Sequence, residues 1–248
     1  MRGAGDLATG IIQKLHNSGF KVIACEIDKP TAIRRRVSLS DAVYDGTQTV
    51  EDITATLCTI DEAVQSVGVS IIVDPYMDVL GKVKPLAVVD AILAKRNLGT
   101  HLDMAEVVIG VGPGFTASKD CHAVVETKRG HHLGRVYYDG PAIENTGIPG
   151  EIGGESKRRV LHSPVEGTVK NVVEIGDIVT EGDLMLTVGN QEVIAPFSGV
   201  VRGIIKNDFF VPKGMKIADI DPRMDQVSNC ETISDKARTI AGGVLEAV

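Results

Sequence analysis

The feature that most narrows what this chain can fold into is an internal repeat in its second half. Pro164 and Pro196, Gly167 and Gly199, Val169 and Val201, Val179 and Val211, and Gly182 and Gly214 each stand 32 positions apart, without a gap. Each copy reads P-x-x-G-x-V and continues through two apolar positions, Val172 and Val173 or Ile204 and Ile205. It then turns at G-D-x-x or G-M-x-x before a last strand. Short apolar runs punctuated by glycine at equivalent corners predict a β-structure built twice, with one small core filled by both copies.

On these motifs residues 160–222 resemble the lipoyl/biotinyl family, in which two interlocking copies form an all-β barrel-sandwich hybrid. In that family the hairpin joining the copies carries a lysine. Here it reads Val188-Gly189-Asn190-Gln191-Glu192-Val193 and has none, so no amine stands where a carrier amide would form. The resemblance then implies a rigid docking module, not an acyl carrier. Beyond Pro222, Ile233, Ala237, Ile240 and Ala241 are spaced for a helix that packs back onto one of the domains. The expected division is a Rossmann-like domain over residues 1–158, the β module over 159–222, and a helical tail over 223–248.

The first half reads as α/β. Gly3-Ala4-Gly5-Asp6 runs into Leu7, Ile11, Ile12 and Leu15 on one helical face, a tight turn feeding a helix that ends near Gly19. An apolar strand at residues 22–27 follows, with Glu26 and Asp28 where nucleotide-binding folds place a ribose-binding acid. A second strand at 69–73 ends in Asp74-Pro75, and Leu86, Val89, Ile92 and Leu93 predict a helix over 83–95. Alternating elements of this kind imply a parallel sheet with helices on both faces. A Rossmann unit needs a strand before the glycine turn, yet only Met1 and Arg2 precede Gly3, and the expectation is a chain start truncated or assigned late.

Gly3, Gly5 and Gly10 give G-x-G-x-x-x-x-G, with the third glycine two positions later than in the dinucleotide fingerprint. The first two still allow a phosphate to approach the helix N-terminus, where free N–H groups and the dipole favour an anion. The alternative is a plain strand-to-helix turn with Asp6 as N-cap. Arg34 and Arg35 follow the acid closely, where a cation would meet an extra phosphate, or else begin a solvated helix.

From 100 to 154 helical periodicity stops, and short strands at 107–111, 123–126 and 135–138 alternate with glycine turns. His101, Asp103, Glu106, Asp120, Cys121, His122, Glu126, His131 and His132 concentrate here, with His122 and His131 the candidate proton carriers. No pair has a strong metal spacing, so no metal is assigned, and histidines that cap turns are the competing explanation. Gly112 and Gly114, within Gly110-Val111-Gly112-Pro113-Gly114, could form an anion-binding nest.

Composition excludes several classes. A formal charge of −7 with no basic run beyond Arg34-Arg35-Arg36 gives no footprint for nucleic acid. No stretch of about 18 apolar residues spans a membrane, and the N-terminus has no signal-peptide pattern. Cys25, Cys58, Cys121 and Cys230 are scattered, as in a reduced cytoplasmic protein.

Residues 2–10, 26–30, 34–46, 90–100 and 110–154 together resemble the YqeB family. Gly-Pro-Gly-Phe-Thr-Ala-Ser-Lys-Asp at 112–120 and Glu-Thr-Lys-Arg-Gly-His-His-Leu-Gly-Arg-Val at 126–136 are the most specific stretches. That family is described as selenium-dependent molybdenum hydroxylase system proteins, with kinship to XdhC-type chaperones. The resemblance implies an accessory protein that partners a molybdenum hydroxylase or its cofactor-maturation machinery. Its ligand would be a nucleotide, either NAD(P) or molybdopterin dinucleotide. An NAD(P)-dependent oxidoreductase and a non-catalytic adaptor are the alternatives, and a homo-oligomer is compatible with each.

Overall fold

The computed structural model describes residues 1–147 and 150–248. Two compact units divide the chain: Met1–Pro30, Ser38–Thr146 and Ile233–Val248 form the first, Thr31–Val37 and Gly147–Thr232 the second. The divisions expected at 158 and 222 thus fall near 147 and 233, and the tail rejoins the first unit. Residues 148 and 149 of the Gly/His-rich segment lie outside the described residues.

In the first unit, α1 (Asp6–Asn17) buries Ile11, Ile12 and Leu15, while Lys14 and His16 lie in its last turn, the end that favours cations. Strand β1 (Ile23–Glu26) follows. After the short α2 (Ala42–Asp45) comes an antiparallel hairpin of β2 (Thr47–Val50) and β3 (Ile53–Leu57). Helix α3 (Ile60–Gln65) starts at a capping box, Thr59 and Glu62 satisfying each other's backbone N–H groups. Then come β4 (Val69–Val73), β5 (Ala87–Asp90), β6 (Val107–Val111), β7 (Thr116–Ala117), β8 (Ala123–Val125), β9 (Val136–Tyr137) and β10 (Gly140–Pro141). The last 13-residue helix, α4 (Asp235–Ala247), is capped by the Ser234 hydroxyl and buries Ala237, Ile240 and Ala241, as their spacing predicts.

The strands run β2-β3-β4-β1 on one side and β5-β6-β8-β9 on the other. Segment 1–3 joins the two halves, because Arg2 bridges in parallel to both Cys25 and Asp90. The strand expected before the glycine turn is therefore this segment. The sheet is mixed: its inner pairs are parallel, whereas β2 and β9 run antiparallel at the two edges. Side-chain alternation sends Cys25, Ile72, Val88, Val108 and Val124 into one core, where they meet Ala63 of α3 together with Met77 and Val79. On the opposite face Val125 touches Gly243 of α4.

The helix expected over 83–95 does not form. Val88 and Val89 instead pair in parallel register with Val108 and Ile109, and the turn before them is a 3-10 turn, Asp78–Gly81. A short apolar run after a proline is ambiguous by periodicity alone, and two adjacent β-branched residues favour the ladder. Helical cover is correspondingly sparse.

The second unit is all-β: β11 (Val160–His162), β12 (Gly167–Asn171), β13 (Ile178–Val179), β14 (Leu184–Val188), β15 (Gln191–Ile194), β16 (Gly199–Ile204), β17 (Phe210–Val211) and β18 (Lys216–Asp221). They form two four-stranded antiparallel sheets, β11-β18-β16-β13 and β15-β14-β12-β17. Replacing each strand by its counterpart in the other copy converts one order into the other, so the sequence repeat is a pseudo-twofold repeat of pairings. Each sheet takes strands from both copies. Val169, Met185, Leu186, Val200, Val201, Ile204 and Ile217 fill the shared core. Among the described residues the sheets stay separate and no closed barrel is found.

Candidate functional site: the carboxyl edge of the first sheet

Backbone hydrogen bonds fix segment 1–3 between its neighbours: Arg2 N–H to Val89 O at 2.8 Å, Ala91 N–H to Arg2 O at 2.9 Å, and Gly3 N–H to Cys25 O at 2.8 Å. From this segment the chain passes through α1 to β1 on one side, and it later crosses from β4 to β5 on the other. Where neighbouring parallel strands send their connections in opposite directions, a crevice opens beyond their carboxyl ends. Gly3, Ala4 and Gly5 lie there.

Gly3 has φ +87°, and a Cβ on it would stand 3.2 Å from Ala91 O, so this position needs glycine. Gly5 is the N-cap of α1 and carries no side-chain cap; Asp6 is the first helical residue and not the cap. A Cβ on Gly5 would meet nothing within 4 Å. The glycine turn therefore faces open space in front of a helix N-terminus. Its shape is held from behind, since the Thr9 hydroxyl donates to Gly5 O at 3.0 Å and accepts from Leu39 N–H at 2.9 Å, while Ser40 N–H donates to Ala4 O at 2.9 Å.

Acids close the edge. Glu26, ending β1, accepts from Ala4 N–H at 2.6 Å and Ile27 N–H at 3.1 Å. Burial pushes its carboxyl pKa up, and these two N–H groups oppose the shift. Asp90, ending β5, is buried with Arg2: the guanidinium reaches its carboxylate at 2.9 Å, the Thr100 hydroxyl at 2.6 Å, and Ile92 N–H at 3.1 Å. Glu126, just after β8, is fully buried and accepts from the N–H groups of Thr127, Lys128 and Ile143 at 2.7, 2.7 and 2.8 Å. Asp74, just after β4, caps the following turn through the N–H groups of Asp78 and Val79.

Gly3, Gly5, Asp6 and Glu26 are brought together as expected from their spacing. Other residues singled out from the sequence lie elsewhere. Gly10 is buried in α1, where a Cβ would stand 2.9 Å from Ala237 Cβ, so it serves helix packing. Gly112 gives its N–H to Val125 O, and its missing Cβ makes room for Thr127; Gly114 makes room for the backbone of Arg96. Arg34 and Arg35 belong to the second unit, where they donate to Asn229 O and Ile204 O.

His122 and His131 do not converge. His122 precedes β8, and its Nδ1 accepts from Val108 N–H at 3.0 Å, which satisfies a strand end; His131 follows β8, beyond its other end, and stacks edge-on with His132. His101 is exposed beside Asp103. Among the described residues no group of three or more His, Cys, Asp or Glu could hold a metal ion. No helix among them is long and apolar enough to cross a membrane.

Asp90 was not singled out from the sequence; Glu126 was, but as one of the acids of the histidine-rich segment and not as part of this edge. Each follows an apolar run directly, whereas Glu26 was marked by its spacing from the glycine turn.

The chain is similar to YqeB. This uncharacterized protein of Escherichia coli (strain K12) is 50% identical over 252 residues, which take in 100% of this chain but 46% of YqeB. The chain thus spans about half the length of the relative it matches. No family model matches it.

Proposed function

We propose that the first unit binds a nucleotide through its phosphates at the carboxyl edge of the sheet. The chain would serve as an accessory protein in the maturation of selenium-dependent molybdenum hydroxylases in the cytoplasm. The observation that carries this is the strand order about segment 1–3. With that segment as strand one, and with the β2–β3 hairpin set aside as an addition outside β4, the strands β1, β4, β5, β6 and β8 are strands two to six. They lie in the order 3-2-1-4-5-6 of Rossmann-like dinucleotide folds, with the glycine turn at the switch point. The uncapped α1 N-terminus offers N–H groups to a phosphate, and the buried Glu26 stands where a ribose-binding acid belongs.

Molybdopterin dinucleotide is the ligand that joins this fold to the resemblance. The NAD(P)-oxidoreductase alternative, with His122 or His131 as the proton carrier, has less support, because His122 Nδ1 already accepts from Val108 N–H and His131 lies in the turn beyond the far end of β8. We assign the second unit as a lipoyl/biotinyl-like module without acceptor lysine, a docking surface for the hydroxylase machinery.

Native mass spectrometry of the purified chain, alone and with NADH or with molybdopterin dinucleotide released from a hydroxylase, tests the binding. A stoichiometric adduct is expected. Gly5→Val should abolish it without unfolding the unit, since a side chain there has room but fills the cradle. An adduct retained in that variant, or none with any nucleotide, refutes the proposal.

A further inference from the structure

Segment 1–3 pairs with only the carboxyl halves of its neighbours. On the amino side of Met1, the chain leading into β1 and the chain leading into β5 face each other across a cavity of about 350 Å³, walled by residues 20–23 and 85–89. Met77 and Val79 close it from the core on one face of the sheet. From the other face come Leu15 of α1 and Val248 beyond α4, two helices that pack together where Gly10 meets Ala237. The cavity therefore lies in the plane of the sheet, on the line of segment 1–3.

Backbone direction shows what its side walls offer. In a parallel ladder a residue turns its N–H and C=O to the same neighbouring strand, and the next residue turns both the other way. Val22 O accepts from Ser70 N–H at 3.1 Å and so faces β4; Ile23 then faces the line of segment 1–3, where its C=O accepts from the Met1 nitrogen at 2.8 Å. Leu86 O accepts from Val107 N–H at 3.0 Å and faces β6, which turns Ala87 and Val89 toward segment 1–3, and Val89 O accepts from Arg2 N–H there. Three groups are left pointing into the cavity: the N–H of Ile23, the N–H of Val89 and the C=O of Ala87. Among the described residues none of the three has a hydrogen-bond partner. Val89 is 2% exposed, and a buried N–H without an acceptor is both rare and costly.

We infer that this cavity is a strand-acceptor site: it takes an extended apolar peptide, laid parallel to β1 and β5 with its carboxyl end at Met1. The residue nearest Met1 donates its N–H to Ala87 O and accepts at its C=O from Val89 N–H, and the residue before it accepts from Ile23 N–H. Covered on both faces, such a segment has to be a continuous run of Val, Ile or Leu, as central parallel strands are. Proline nearest Met1 is excluded, since it has no N–H for Ala87. The chain spans about half the length of YqeB, and the occupant is polypeptide of that family from outside the matched half, added to the sheet as a strand.

Amide hydrogen exchange followed by NMR, with thermal unfolding, tests the site in the chain itself, in the chain with Val-Val-Ile joined ahead of Met1 as a tethered probe, in the same with Gly-Asp-Pro, and in full-length YqeB. Tethering keeps the local concentration of the probe high. Val-Val-Ile should slow exchange at Ile23 and Val89 about tenfold, the worth of one added hydrogen bond, and raise the thermal midpoint by about 5 °C. Gly-Asp-Pro should do neither. Unchanged exchange with Val-Val-Ile, or the same slowing with Gly-Asp-Pro, would overturn the strand-acceptor assignment. In full-length YqeB the equivalent amides should exchange as slowly as in the Val-Val-Ile form; rates as fast as in the chain alone would overturn the family's own polypeptide as the occupant.

Discussion

Replacing Arg2 by Met probes the pair that locks segment 1–3 to β5. The two side chains are 7% and 2% exposed, and the guanidinium reaches the Asp90 carboxylate and, at 3.1 Å, Leu98 O. Methionine would leave the carboxylate buried without its cation, a change that typically destabilises by about 3–5 kcal/mol. Thr100 and Ile92 N–H would still donate to it, which places the effect near the lower end, about 3 kcal/mol. With a urea slope of about 2 kcal/mol/M, the unfolding midpoint of the first unit should fall by about 1.5 M. The chain has no Trp, so far-UV circular dichroism is the natural probe. The double variant Arg2→Met with Asp90→Asn should lose less than Arg2→Met alone, because no unpaired charge then stays buried. A midpoint shift below about 0.3 M, or a double variant at least as unstable as the single, would refute the reasoning.

Gly10→Leu should destabilise the first unit by about 2 kcal/mol in the same assay, since crowding at Ala237 outweighs the gain in helix propensity; an increase in stability would show that α1 and α4 can separate freely. In the second unit, burial pushes the Asp221 carboxyl pKa up, but Arg223 and Arg202 outweigh it and hold the value below the ordinary 3.8. A carboxyl lowered on folding stabilises fully above its ordinary value and loses that contribution as pH falls through the folded value, so Asp221→Asn should flatten acid unfolding below about pH 4; an unchanged acid profile would contradict this. Co-expression with biotin and lipoyl ligases should leave the intact mass of the bare chain, and an added biotin or lipoate on Lys170, Lys206, Lys213 or Lys216 would contradict the docking assignment.

Much of the fold was legible because its signals are local. The periodicity of Ile11, Ile12 and Leu15 marks α1, and the β-branched runs at 69–73 and 107–111 mark β4 and β6 within their observed limits. Residues 83–95 misled because Leu86, Val89, Ile92 and Leu93 match a helical face, yet Val89 pairs with Ile109 in the sheet, a partner that only tertiary structure supplies. The β2–β3 hairpin went unread although Thr47 to Val50 and Ile53 to Leu57 are rich in β-branched residues around an acidic turn. In the second unit the spacing of 32 was informative because each copy has to present the same turns. It could not reveal that every sheet mixes strands of both copies, since that depends on how two apolar faces meet.

The site shows the same limit more sharply. Gly3, Gly5 and Glu26 belong to one βαβ-like unit, where about 20 residues separate the turn from its acid, so a spacing rule can find them. Asp90 and Glu126 come from strands that reach the same edge only after the chain has crossed the sheet. Their types carry no motif: an acid after an apolar run is common in any globular chain. What distinguishes them is their surroundings. Both acids are sealed by backbone donors, and Asp90 by an arginine as well, while the Cβ position of Gly5 stands open. With those acids already satisfied by donors of the chain itself, the α1 N-terminus, which has no side-chain cap, is the feature of this edge that supports the anion proposed as its ligand.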